Sequence, residues 1–382
     1  MTGAFIGRRS AGSLESMSKK NHVAEWYGHR VYPVVAASPE ALADQQSRRC
    51  PFLSDATGQT RRCVKAPTSQ GVCTVSSLSN GPRQDWLVCP FRALDDALLD
   101  DVVRRLFGYA STDDVTLLAA PALADEARRE RIREIVASGR PAIVYFQSKL
   151  GGEITVPRTE RSPELSLDAT LAELLPPAEG QGLQVGRYGI FEVQTMDYHG
   201  SYTHAVNALN GALDLHGGQF HQILAANAEW LARKVEGPNI ANVFKRTFYQ
   251  MMFKFQIGAH GSSAGCALAI PRAVWDSWQR HLGRPDLIPH PDGTWRLAAE
   301  QPEPADAKPP AWIYVFDIDV SDTDTPNQLT LWRVIGTDAS AVAHYALDVA
   351  PQAALEEGSS VDRILLGLRR RLAEYLPEVP LA

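Results

Sequence analysis

Between Arg187 and Met196 the chain writes an apolar strand with two polar side chains inside it. Ile190, Phe191 and Val193 favour a buried β-strand. Glu192 and Gln194 stand two apart, so a strand turns both to one face. A carboxylate and an amide buried side by side are costly unless each finds a partner. Such a strand either meets neighbours that satisfy the pair or borders a cleft in which the pair holds something.

The surroundings are those of an ordinary globular chain. Of 382 residues, 45% are hydrophobic and 21% charged, enough for one large or two modest domains. No apolar run reaches bilayer length, and the first twenty residues lack a signal core. A cytoplasmic location without membrane contact is expected, with the five cysteines as thiols or metal ligands rather than disulfides. The net charge of −6 argues against indiscriminate nucleic-acid binding, but residues 1–90 carry 11 Lys/Arg against 6 Asp/Glu. A basic groove is therefore allowed.

Periodicity predicts helices over 93–107, 124–138, 203–215, 220–235, 240–256, 271–282 and 362–375. Strands are expected over 142–146, 153–156, 164–168, 266–270, 312–320 and 329–334, besides the polar-faced one. This order gives an α/β core with a mixed sheet flanked by helices. Residues 1–21 read as a disordered arm, 22–92 as an N-terminal module, 93–320 as the core, and 321–382 as a C-terminal α/β extension. Residues 40–90 show little periodicity and promise little core. They hold Cys50, Cys63, Cys73 and Cys89. Four thiolates in a weakly hydrophobic stretch suit a closed tetrahedral structural site. Four unrelated free cysteines are the plainer alternative. The spacing lacks paired C-x-x-C, and on spacing alone zinc is favoured over iron. Cys266 sits in an apolar strand and reads as core.

Three acids, Glu153, Asp168 and Glu192, fall at or near the ends of strands expected in succession, with Gln194 beside the last. Clustered oxygen ligands suit Mg²⁺, which takes one or two carboxylates together with water and phosphate oxygens. Acids on the solvent face of one-sided strands would look the same. Glu164 rivals Asp168, being on the same face. Residues 231–256 hold five basic groups against one acid, among them Lys245, Arg246 and Lys254 on an aromatic-rich helix. Lys245 and Arg246 are placed to reach phosphates. The polar loop Asp197–Tyr202 could present Asp197, His199 or Ser201 to base edges, or be a plain turn.

Taken together, several segments resemble the NotI-like type II restriction endonucleases. They are His29–Pro33, the four cysteines with Cys50–Leu53, Asp85–Pro90, Lys149–Glu153, Ser162–Asp168, Arg187–Tyr202, Glu236–Asn239 and Val243–Met251, in the same order. The resemblance runs from about residue 22 to the strand at Trp312–Phe316. It implies a PD-(D/E)xK nuclease core behind a Cys₄ metal module, and a homodimer cutting palindromic double-stranded DNA with Mg²⁺ to leave 5′ overhangs. It also implies a cognate DNA methyltransferase as genetic partner. The motif aspartate becomes Asp168 rather than Glu164, the Glu-x-Lys position becomes Glu192-Val-Gln194, and Glu153 a further acid. Gln194 stands where most relatives keep a lysine, so orienting the attacking water is its expected role. The Cys₄ ion becomes a structural iron, with zinc the alternative. The implied target is a GC-rich palindrome with a CGGCCG centre, GCGGCCGC being the candidate. Arg187, Asp197 and Arg83 are candidate base readers, since arginine reads guanine and acids accept from cytosine. The alternatives are a nuclease of this core with other specificity, or a non-catalytic Cys₄ DNA-binding protein.

Overall fold

A computed structural model describes residues 20–78, 83–177, 182–196, 198, 200–298, 308–318, 326–327, 329–356, 360–378 and 380. Most of the expected arm, as well as Asp197 and His199, lies outside them. The chain begins with β1 (His22–Trp26) and β2 (His29–Arg30), then α1 (Pro39–Ser47) and α2 (Pro51–Thr57). Next come β3 (Val72–Leu78) and β4 (Arg83–Leu87), which complete a four-stranded antiparallel sheet in the order β2-β1-β3-β4. Residues 40–90 thus build more core than their pattern promised: β3 is buried from Val72 to Ser77. Its cover comes from far along the chain. Val72 and Val75 pack with Val206 and Leu209 of α5 (Thr203–His216), and with Phe220 and Leu224 of α6 (Phe220–Ala226). That requires α3 (Asp96–Phe107) and α4 (Glu126–Ala137) to come before them in the chain and pack elsewhere.

Among the described residues the main sheet has nine strands. Those preceding α5 are β5 (Thr116–Ala119), β6 (Ala142–Gln147), β9 (Ala169–Leu175) and β10 (Gln184–Val193). A separate two-stranded ribbon, β7 (Ile154–Val156) with β8 (Leu165–Leu167), leads directly into β9. After α6 come α7 (Ile240–Gly258), β11 (Ser263–Pro271) and α8 (Arg272–Trp278). The short β12 (Ile288–Pro289) and β13 (Trp295–Arg296) follow, then β14 (Ala311–Ile318) and β15 (Leu329–Thr337). The order is β12-β13-β15-β14-β11-β10-β9-β6-β5, with β10, β11 and β14 parallel to one another and β9 antiparallel to β10. β14 and β15 pair along their length, so the chain on both sides of residue 320 shares this sheet.

Side-chain alternation divides the core into two layers. Phe191, Val193, Ala267, Ala269, Trp312 and Tyr314 face α3, which is capped by Asp95 and closed by Gly108 at φ 79°. Ile190, Cys266, Leu268, Ile270, Ile313 and Val315 face α7 and α8. Glu192, between Phe191 and Val193, therefore points to the α7 side. α7 can lie close to the strands because it ends at Gly258. A Cβ there would fall 2.7 Å from Cys266 Cβ and 2.9 Å from its nitrogen. Beyond the sheet the chain closes with α9 (Ala339–His344), α10 (Ala350–Glu356) and α11 (Ser360–Ala373).

Candidate active site

The ladder of β9 on β10 pairs Ala169 with Phe191, so the next step sets Asp168 opposite Glu192. Each carboxylate is fixed by the other's backbone. The Asp168 amide donates to Glu192 Oε1 at 3.0 Å, and the Val193 amide donates to Asp168 Oδ2 at 3.1 Å. Glu192 is only 8% exposed. Its second oxygen, Oε2, receives a hydrogen bond from the Lys254 ammonium, which descends from α7 and is 4% exposed. Burial, and then the adjacent Asp168 charge, push the Glu192 carboxyl up to about 8, with Lys254 acting in the opposite sense.

Gln194 completes the floor. The Thr247 hydroxyl of α7 donates to its Oε1 at 2.5 Å, and its Nε2 donates to the Thr195 carbonyl at 2.6 Å. The amide is thereby held in one orientation, which leaves one N–H and one acceptor lone pair for a further partner. Asp168, Glu192, Gln194, Thr247, Gln250 and Lys254 border a cavity of about 70 Å³. That volume holds a small hydrated ion or about two waters.

Glu153 stands one residue before β7. Ile154 pairs with Leu167, so the same ladder carried one step further sets Glu153 beside Asp168. Its side chain is exposed. Among the described residues, no three His, Cys, Asp or Glu side chains form a metal-binding group. The structure therefore brings Asp168 and Glu192 together and leaves Glu153 at the rim. Two carboxylates nevertheless meet the needs of Mg²⁺, which takes one or two protein acids and fills its remaining positions with water and phosphate oxygens.

The four cysteines converge without forming a cage. Cys50 and Cys63 stand one step to either side of the antiparallel Arg49–Arg62 bridge, paired with Arg61 and Arg48, and the Val88 amide, one residue before Cys89, donates to the Cys73 carbonyl. Cys50, Cys73 and Cys89 are buried in one cluster with Phe52, Leu53, Leu87 and Phe91, and Cys63 packs against it. Burial pushes the Cys50 thiol up to about 12 and Cys73 well above its usual value, and the neighbouring cysteines add to both shifts. Such thiols ionise only for a strongly thiophilic partner. The four cysteines are thus a gathering of soft donors in the core, and the expected metal-binding module is not assembled among the described residues. Their sulfurs fill core volume that the sequence pattern had not revealed.

The expected DNA contacts separate. Arg246 and Lys245 are exposed on α7. Arg83 donates to the Lys20 carbonyl at 2.7 Å, lies over the Tyr32 ring, and borders a cleft with Arg272 and Asp317 at the end of β14. Arg187 lies five residues before Glu192 on β10, about 17 Å away along a strand. It pairs with Glu173 at 3.2 Å and donates to the Phe107 carbonyl, so it belongs to the far end of the sheet. Lys254 is the residue the sequence marked only as basic. Its contact with Glu192 spans 62 positions, and only the register of α7 over β10 creates it.

No protein-family model matches the chain, and no curated protein matches it. Among the described residues no helix is long and apolar enough to cross a membrane.

Proposed function

We propose that the chain is a Mg²⁺-dependent nuclease that cuts double-stranded DNA at specific sites, a type II restriction endonuclease of the NotI-like kind with a PD-(D/E)xK core. The observation that carries this reading is the Asp168–Glu192 pair on adjacent strands. Glu192 is buried and Asp168 half-buried beneath a basic helix, and both border a small cavity. The paired carboxylates suit a hard divalent cation, and the Cys266 thiol that also borders the cavity is held protonated by burial and the nearby Glu192 charge. Such a cation supplies Lewis acidity, neutralising charge that builds on a phosphate and making water a better nucleophile.

The chain's own groups do the rest. Asp168 and Glu192 hold the cation. Glu153 assists from the rim. The fixed Gln194 amide orients water but cannot supply charge. Lys254 supplies the missing positive charge: it pulls the Glu192 carboxyl back toward ionisation against burial and places a cation where a phosphodiester would gain electrons. The cysteine set would hold one structural iron, or zinc, tying the start of α2 to the ends of β3 and β4. A palindromic target entails a homodimer, since each strand then meets an equivalent site. It also entails a cognate methyltransferase to protect the host.

The test is digestion of plasmids of known sequence with Mg²⁺, followed by sequencing of the ends. Discrete fragments ending within a GC-rich palindrome, with a 5′ overhang, are expected. Intact plasmid, or random nicking, would overturn the reading.

A further inference from the structure

One stripe of α7 runs through Asn239, Val243, Arg246–Thr247, Gln250 and Lys254, steps of three and four that keep to one side of a helix. At its C-terminal end the stripe enters the Asp168–Glu192 cavity through Thr247, Gln250 and Lys254. Toward its N-terminal end it walls a second, larger groove of about 440 Å³, in which Gln194 and Thr195 form the opposite side. Gln194, Thr247 and Gln250 border both spaces, so the groove continues the cavity.

The two spaces differ in chemistry. The cavity is built around two carboxylates. The groove has none: its lining is an arginine, two threonines, three carboxamides and Val243. The Thr247 proton is already given to Gln194, but a guanidinium, carboxamide N–H groups and the Thr195 hydroxyl line the groove as donors, and no acid there repels an anion. Phosphate oxygens are the partners that such groups take on a nucleic-acid backbone.

We infer that this groove seats the phosphate next to the scissile one on the same strand. The inference rests on the nuclease reading above. The spacing agrees with it. From Lys254 to Gln250 is about 6 Å along the helix, and to Thr247 about 10 Å, at ~1.5 Å per residue. A strand leaving the cavity therefore brings its next phosphate past Gln250 and Arg246. α7 in this way holds a length of backbone in line with the carboxylates, and the grip is blind to sequence.

The test uses the full chain carrying Asp168→Asn, without divalent metal, and a GC-rich duplex. Binding is measured across a salt series. The further double substitution Arg246→Ala/Gln250→Ala changes two exposed side chains. It is expected to weaken binding about tenfold and to lower the salt slope by about one phosphate's worth, equally on duplexes of different sequence. Arg133→Ala, an exposed charge on α4 outside the groove, is expected to leave the slope unchanged. In a duplex with one methylphosphonate beside the cut, the double substitution should have no further effect. Unchanged affinity and slope in the double variant, with DNA still bound, would overturn the groove assignment alone. An equal loss at Arg133→Ala would do the same, since it would show general attraction rather than a seat. A parent chain that binds no DNA at all would overturn the nuclease reading along with it.

Discussion

Replacing Lys254 with methionine removes the ammonium from the site and keeps most of the side chain's length. The Lys254 and Glu192 side chains are 5% and 10% exposed, so the pair is shielded from solvent. Removing one partner of a buried ion pair costs about 3–5 kcal/mol, because the other charge is left uncompensated. The low end applies here, about 3 kcal/mol. Glu192 already sits at about 8 through burial and Asp168, so it sheds its charge by taking a proton. Glu192→Gln leaves the ammonium stranded and should cost a similar amount. The double variant Lys254→Met/Glu192→Gln buries no charge at this point. It should cost well under the sum, with a coupling of at least about 1.5 kcal/mol. Urea unfolding at pH 9, above the Glu192 value of about 8 so that the pair is charged, followed by tryptophan fluorescence, measures all four proteins. Additivity within about 0.5 kcal/mol would refute the buried pair. All three variants should lose cleavage, and Lys254→Arg should keep a part of it.

Other consequences follow from the same structure. Arg92 is buried and grips Glu25 through Nε at 3.0 Å and a terminal nitrogen at 3.2 Å, so Arg92→Met should lower stability by about 3–5 kcal/mol in a urea melt. His22 is buried and stacked on Tyr32, and burial followed by the Arg83 charge lowers it from 6.5 to about 4. The unfolded chain takes up this proton near 6.5 and the folded chain only near 4, so stability is full above 6.5 and falls as the pH drops toward 4. Between pH 7 and pH 5 the parent should lose about 2 kcal/mol more than His22→Phe does. Elemental analysis of the purified chain should find about one iron or zinc per chain, and Cys73→Ser should lower it; a folded, metal-free parent would exclude the structural ion.

How much of this the sequence announces depends on how far apart the partners lie. The Glu192–Gln194 face follows from period-two alternation, and the ladder that joins Asp168 to it spans two neighbouring strands. The strand Ala169–Leu175 itself escapes notice, because Ala, Glu and Leu prefer helix and no turn residue parts it from β8. Arg187 looked available to DNA, but cross-strand pairing with Glu173 claims it. The core of β1–β4 was hidden because its cover, α5 and α6, arrives more than a hundred residues later. Lys254 carries no local mark of its role. Helical spacing places it on the Thr247–Gln250 stripe, but only the close approach of α7 at Gly258 shows that the stripe meets Glu192.

The most direct trial is single-turnover cleavage of an end-labelled GC-rich duplex with Mg²⁺, comparing the parent chain with Asp168→Asn. Asp168 accepts from the Val193 amide and faces Glu192, so the substitution keeps shape and removes one carboxylate. The expected result is cutting at one defined position by the parent and a loss on the order of 10³-fold or more in the variant, with metal-free DNA binding retained. Equal cleavage by the two proteins would show that the Asp168–Glu192 pair is not where the chemistry happens.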